Sequence, residues 1–234
     1  MASLWPLWQL LLFLIGAYLL GSLPTAYLAG RWLRGVDVRE YGSGNVGGNN
    51  AGAVIGLWAL VVVGLIDIGK AALPAWLALG PLDLGTGPAV LAGLCATAGH
   101  DWSLFLHFSG GRGVSGVLGT LVVVFPWGAA FLLLALFVGW RLKNTAGSSV
   151  GLLGLPPLSL ALGMAPAVTW GCLAMIVVTS LKRLEANGRP LPRGEARWGV
   201  IWRRLWLDRD IDDHQAWLAR RPGEGEGIRQ GLQD

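Results

Sequence analysis

The stretch V114-S-G-V-L-G-T-L-V-V-V-F-P-W-G-A-A-F-L-L-L-A-L-F-V-G-W140 has no charged residue and one proline, Pro126, near its middle. Such a run belongs in the hydrocarbon of a bilayer, where a helix satisfies its own backbone polar groups. Read as one long helix, it gives the chain six membrane spans. Turned at F125-P-W127 into two short helices, it gives seven. The choice decides which loops share a face of the membrane, and therefore where chemistry can gather.

Charge makes the choice. Apolar segments cover residues 7–30, 51–79, 87–98, 114–125, 127–140, 150–164 and 165–181. Several fall short of the roughly 20 residues needed to cross about 30 Å, so tilted or broken helices are expected. With seven spans, Arg31, Arg34, Arg39, Arg112, Arg141, Lys143 and a basic tail all fall on one side, whereas six spans scatter them. Positive charge is retained on the cytoplasmic side. The expected architecture is therefore an all-α, polytopic protein of seven spans, amino terminus outside and carboxyl terminus cytoplasmic. Its outer turns are G80-P-L-D-L-G-T86 and the corners at Phe125/Pro126 and Met164/Pro166.

Composition agrees: 53% of residues are hydrophobic, 14% are charged and the mean hydropathy is +0.55. Of 18 basic and 14 acidic residues, 11 and 9 lie from Lys182 onward. This divides the chain into a lipid-embedded body, residues 1–181, and a water-facing tail, residues 182–234. The net charge of +4 is modest, and its basic residues sit at span ends. That pattern serves orientation and argues against nucleic-acid binding. The first apolar segment lacks a basic region before it and is expected to be a span rather than a cleaved leader. Cys95 and Cys172 fall in apolar stretches and are expected as buried thiols.

The polar loops that this topology collects on the cytoplasmic face carry the candidate chemistry. Gly42 to Asn50 combines Gly42, Gly44, Gly47 and Gly48 with Ser43, Asn45, Asn49 and Asn50. Glycine lets successive backbone amides curve into a nest for oxygen anions, and the hydroxyl and carboxamides add directed donors. A helix opening near Asn50 would add unpaired amides. The same residues are also ordinary turn formers. In F108-S-G-G-R-G-V114, Gly111 and Gly113 flank Arg112, whose guanidinium can hold two phosphate oxygens at once. As a plain span-end charge, Arg112 would serve orientation only.

Asp67 and Lys70 interrupt a very hydrophobic segment. At i and i+3 they share a helix face and can pair, either as a structural lock or as part of a site. His100 opens H100-D-W-S-L-F-L-H107, where it can act as a base near neutrality or serve as a packing residue. The histidine spacing, without further ligands, does not make a metal site. Ser148 and Ser149 follow K143-N-T-A-G147 and can either serve an anion site or cap the next span.

These residues together resemble a known family. G21-S-L-P24, G42-S-G-N-V-G-G-N-N50, D67-I-G-K70, G99-H100 and F108-S-G-G-R-G-V114 are similar, in order and spacing, to the bacterial PlsY membrane acyltransferases, the acyl-phosphate:glycerol-3-phosphate acyltransferases. The resemblance covers about residues 10–184. It implies an enzyme of the bacterial inner membrane that moves a fatty acyl group from acyl phosphate to the 1-hydroxyl of glycerol 3-phosphate, without a cofactor or metal. It implies catalytic roles for Ser43 and Arg112, the latter standing where the family usually has lysine. Gly42, Gly44, Asn45, Gly47, Asn49, Asn50, Lys70, His100, Gly111, Gly113, Ser148 and Ser149 would bind substrate, and Asp67 would bind or support. A monomer surrounded by membrane lipid is expected. The chain departs from the family pattern at Asn49 and Ala53, where threonine and arginine are usual, and at Val177 and Ser180, where histidine and asparagine are usual. Those departures keep two alternatives open, an acyltransferase with an altered acceptor and a non-catalytic membrane scaffold.

Within the tail, E195-A-R-W-G-V-I-W-R-R-L-W206 mixes arginine and tryptophan as an interfacial amphipathic helix does. D208-R-D-I-D-D213 interrupts it with acid, and R221-P-G-E-G-E-G227 has the composition of a disordered end.

Overall fold

A computed structural model describes residues 5–212, and over them the chain is all-α. The helices are α1 (Leu7–Ser22), α2 (Thr25–Arg34), α3 (Gly48–Val54), α4 (Leu57–Leu79), α5 (Thr86–Asp101), α6 (Val114–Val124), α7 (Pro126–Arg141), α8 (Gly147–Ala161), α9 (Pro166–Glu185) and α10 (Ala196–Leu207). Four helical stretches are long and apolar enough to cross a membrane: Leu7–Arg34, Leu57–Leu79, Thr86–Leu106 and Pro166–Gly188. The chain is thus a multi-pass membrane protein. α6, α7 and α8 are apolar but shorter.

Helix ends follow local chemistry. Residues 114–140 form two helices, because Phe125 leaves the helical region (φ −154°, ψ 69°) and Pro126 opens α7 at the position where its missing N–H costs nothing. The apolar segment 51–79, expected to be continuous, is split into α3 and α4. Gly56 lies between them at φ +139°, a conformation that favours glycine. Leu23 and Pro24 separate α1 from α2. α9 runs on to Glu185, so residue 181 lies inside a helix rather than at its end.

Small residues recur at the helix contacts and large apolar ones cover the outside, although Leu121, Phe125, Leu132 and Leu155 are also buried. Ala17, Ala78, Ala89, Ala92 and Ala96 are buried, whereas Leu12, Leu65, Trp76, Phe137, Leu160 and Trp170 are exposed. Water would reverse that distribution. In lipid, large apolar side chains lose nothing by facing out, and small residues let helix backbones approach. α1 and α5 show this most closely: a Cβ on Gly99 would strike the Tyr18 carbonyl oxygen, and one on Gly21 would strike Ala96. α5 also packs on α4, α6 and α9, while α7 pairs with α8 and α8 with α9. Cys172 is buried, Cys95 is partly buried, and both are free thiols.

α10 forms within the Arg/Trp-rich segment and rests on α8 and α9. The segment R221-P-G-E-G-E-G227, expected to be disordered, lies outside the described residues.

Candidate active site

The first glycine-rich loop is organised from within. Asn50, buried inside α3, accepts a hydrogen bond from the Ser43 backbone N–H (3.2 Å) and donates to the carbonyls of Val38 (2.6 Å) and Asn45 (3.0 Å). Its carboxamide is thereby committed to holding the loop. Ser43 Oγ accepts from the Asn45 N–H at 3.3 Å. Gly42 and Gly44 both adopt positive φ (52° and 67°), which reverses the chain tightly around these bonds. Asn49 is exposed, with Gly47 and Gly48 opening α3 beside it.

The second loop docks directly on the first. The Val46 N–H donates to the Gly110 carbonyl (3.2 Å), and Arg112 Nε donates to Asn45 Oδ1 (2.8 Å). Arg112 Nη1 also reaches the carbonyls of Lys182 (3.1 Å) and Arg183 (3.3 Å) near the end of α9. Asn187, just beyond α9, stitches the loops together. Its Nδ2 donates to the carbonyls of Gly44 (3.2 Å) and Gly110 (3.1 Å), and its Oδ1 accepts from the Gly110 N–H (3.1 Å). Two pieces of chain far apart in sequence thus form one wall, with Arg112 at its junction.

A second cation faces that wall. Arg183, buried near the end of α9, donates from Nη1 to Ser149 Oγ (2.7 Å) and from Nη2 to Ser148 Oγ (2.9 Å). The two serines lie in the first turn of α8 and do not cap its backbone, because their hydroxyls are spent on Arg183 and on carbonyls. α10 presents its carboxyl-terminal end here: the Leu205 carbonyl accepts from Arg183 Nη1 (2.8 Å), and the Trp206 carbonyl accepts from Ser149 Oγ (2.8 Å). Asp208 follows immediately, with Oδ1 3.4 Å from Arg112 Nε and 4.0 Å from Arg183 Nε. A helix carboxyl terminus and a carboxylate, both negative, therefore sit against the two arginines.

Asp67, Lys70 and His100 form a neighbouring cluster. Lys70 Nζ lies 2.8 Å from Asp67 Oδ1 and donates to the Leu23 carbonyl at 2.6 Å, so it holds the junction between α1 and α2. His100 Nδ1 lies 3.7 Å from the same Asp67 oxygen. The other edge of the imidazole packs on Gly111, where a Cβ would overlap Nε2. Gly111 is small because His100 occupies the space. Gly113 (φ +78°) opens α6, and a Cβ there would come 2.7 Å from Asp101 Oδ2. Both Asp101 oxygens are buried without a hydrogen bond among the described residues.

The sequence-predicted residues thus fall into a linked series. Ser43, Asn45 and Arg112 join Ser148 and Ser149 through Asp208 and Arg183, while His100 connects Gly111 to Asp67 and Lys70. Asn49 faces out. Sequence reasoning missed Asn187, Arg183 and Asp208 as site residues. Only Arg183 carried a local signal, as a basic residue adjoining Lys182 in the otherwise apolar α9.

Comparisons with known proteins cover most of the chain. Residues 11–190 match the family model described as glycerol-3-phosphate acyltransferase. "Glycerol-3-phosphate acyltransferase 4" of Dehalococcoides mccartyi (strain CBDB1) is 35% identical over 228 residues, covering 93% of this chain and 98% of the relative. The crystal structure of PlsY (YgiH), an integral membrane glycerol 3-phosphate acyltransferase, in its glycerol 3-phosphate form superposes with a TM-score of 0.69 at 28% identity. It covers 77% of this chain and 91% of that one. The lysophosphatidic acid form of the same enzyme gives a TM-score of 0.68 at 27% identity.

Proposed function

The chain belongs to the glycerol-3-phosphate acyltransferase family, and from that premise we propose that it transfers a fatty acyl group from acyl phosphate to the 1-hydroxyl of glycerol 3-phosphate. The acceptor oxygen attacks the acyl carbonyl carbon, the ester bond forms, and the bond to the phosphate oxygen breaks. Phosphate leaves carrying the hydroxyl proton, and lysophosphatidate remains. Acyl phosphate is a mixed anhydride with a good leaving group, so positioning and charge neutralisation can supply the catalysis without a protein nucleophile.

One observation carries this reading: Arg112 stands at the junction of the two glycine-rich loops, with Arg183 and the α8 serines joined to it through Asp208. Arg112 and Arg183 receive the phosphate charge. Ser43 and Asn45 keep the loop in shape beside Arg112, and amides of Gly42, Gly47 and Gly113 offer further donors, whereas those of Gly44 and Gly111 are already bonded to the Tyr41 and His100 carbonyls. Asn49 and Asn50 contribute as exposed donor and loop brace, and Asp67, Lys70 and His100 support the second loop from behind. Purified protein supplied with labelled acyl phosphate and glycerol 3-phosphate, compared with R112A, R112K and S43A, tests it. R112A is expected to lose about 100-fold or more in kcat/KM. R112K should keep part of the activity, because lysine supplies charge without the planar fork. Absence of labelled lysophosphatidate from folded wild-type protein rejects the reading.

Ala53, Val177 and Ser180 favour a second reading, an altered acceptor, because small or apolar side chains stand where the family carries polar ones. Offering other polyols and acyl-CoA in parallel separates a changed acceptor from a changed donor.

The topology proposed with this function is seven spans in the bacterial inner membrane, amino terminus outside, with body 1–181, cytoplasmic tail 182–234 and a monomeric protein. The separation of α6 from α7 at Phe125 supports it, since two spans meeting there would bring Arg112, Arg141 and Lys143 to one face. A reporter active only in the cytoplasm should be silent after Gly80 and active after Lys143; the reverse pattern sinks the topology.

A further inference from the structure

A cleft of about 170 Å³ opens between α8, α9 and α10. Its sides are Leu152 and Leu153 of α8, Ile176 and Ser180 of α9, and Trp202 and Trp206 of α10; Ser149 and Arg183 close its polar end. The two indoles stack with centroids 5.9 Å apart and planes 8° from parallel, giving a flat apolar face. Such a cleft, apolar along its length and cationic at one end, fits an amphiphile with one chain and an anionic head. Arg183 sets the head's position: its side chain is 97% buried, and its Nε makes no hydrogen bond while Asp208 Oδ1 stands 4.0 Å away. Ser180 adds only a small side chain to the wall of the cleft.

α10 is anchored as a wall needs to be. Arg204, buried beneath it, donates to the carbonyls of Leu184 (2.8 Å) and Arg189 (3.1 Å) and to Asp210 (2.6 Å). Thr145 Oγ1 donates to the Leu207 carbonyl at 2.8 Å. Trp202 is 64% exposed, so it is not needed to fill a core. The whole helix lies beyond residue 190, where the family match ends.

We infer that α10 forms one wall of the site for the donor's fatty acyl chain, and that Trp202 and Trp206 set the chain length accepted. This rests on the acyl-transfer reading above. Removing an indole deepens the cleft and admits carbons that the wall excludes; each methylene in such a pocket carries a modest factor, and several together suffice for selectivity.

The test compares octadecanoyl with dodecanoyl phosphate as donors for the wild-type full chain, W202A and W206A. The kcat/KM ratio of long to short donor should rise about tenfold, with the KM for glycerol 3-phosphate unchanged. A ratio the same in all three proteins overturns the inference. A diazirine-bearing fatty acyl phosphonate, which needs no turnover, provides the second readout. Labelling within residues 196–207 supports the wall, including in a wild-type protein that transfers nothing, where the chemistry alone has failed. Labelling confined to other helices overturns it, as does labelling of a membrane phospholipid analogue at α10 that the phosphonate does not displace.

Discussion

Asp208 Oδ1 lies 3.4 Å from Arg112 Nε, so a residue from beyond the family-matched region touches the arginine at the centre of the candidate site. The carboxylate also faces Arg183 at 4.0 Å and accepts no hydrogen bond among the described residues. If the two arginines receive phosphate charge as proposed, Asp208 competes with the substrate for them.

Replacing Asp208 with alanine is therefore expected to strengthen anion binding. An internal competitor worth about 1–2 kcal/mol corresponds to roughly five- to thirty-fold in affinity. Inhibition by inorganic phosphate should tighten in D208A by that range, while D208E stays near wild type. Unchanged or weaker phosphate inhibition in D208A would show that the carboxylate does not compete.

The Asp67–Lys70 pair predicts non-additive losses of stability. Both side chains are buried, so Asp67→Ala leaves an uncompensated ammonium and is expected to cost about 3–5 kcal/mol. Lys70→Ala should cost a similar amount, because it also frees the Leu23 carbonyl. The double variant should lose less than the sum of the two, read as thermal unfolding in detergent. Strict additivity would mean that the pair does not interact.

Gly111→Ala tests why that glycine is small. Its Cβ would overlap the His100 ring, so the variant should displace the imidazole and lower stability. Truncating the histidine as well, in G111A/H100A, should recover much of that loss. If His100→Ala does not relieve the defect, Gly111 matters for another contact, such as the hydrogen bond its N–H donates to the His100 carbonyl.

Asp37 predicts the acid response of the loop outside the membrane. Burial by itself would raise its carboxyl pKa, but hydrogen bonds from the Arg39 side chain and N–H, with the charges of Arg39 and Arg31, outweigh burial and hold it below the ordinary value. A depressed folded pKa means stabilisation that is present above the unfolded pKa, about 3.9, and lost as pH falls through the folded value. Protection from amide exchange across residues 37–50, taken relative to the intrinsic rate at each pH, should fall on acidification below about pH 4. Asp37→Asn should remove that dependence; a variant that retains it places the titration elsewhere.

Much of this protein was legible along the chain. Hydropathy is local, so the apolar segments and the membrane class could be read from consecutive residues, while the break at Pro126 followed from where basic residues fall along the whole chain. The glycine-rich motifs are contiguous too, and with their order they marked the family. Asp67 and Lys70 lie one helical turn apart, so their pairing followed from periodicity. Gly56 was harder to read, since a glycine inside an apolar run does not announce that it will leave the helix.

What only the tertiary structure decided is which polar groups remain for a ligand. Asn50 looked like a donor for an anion, yet its carboxamide is consumed by Ser43, Val38 and Asn45. Ser148 and Ser149 looked like caps or phosphate ligands; they do not cap α8, and both accept from Arg183. Asn187 and Asp208 gained their places because α9 carries the first to the glycine-rich loops and α10 returns the second to Arg112. Hydropathy and motif spacing are properties of neighbours in sequence. Hydrogen-bond satisfaction is settled between residues that packing alone brings within 3 Å or so.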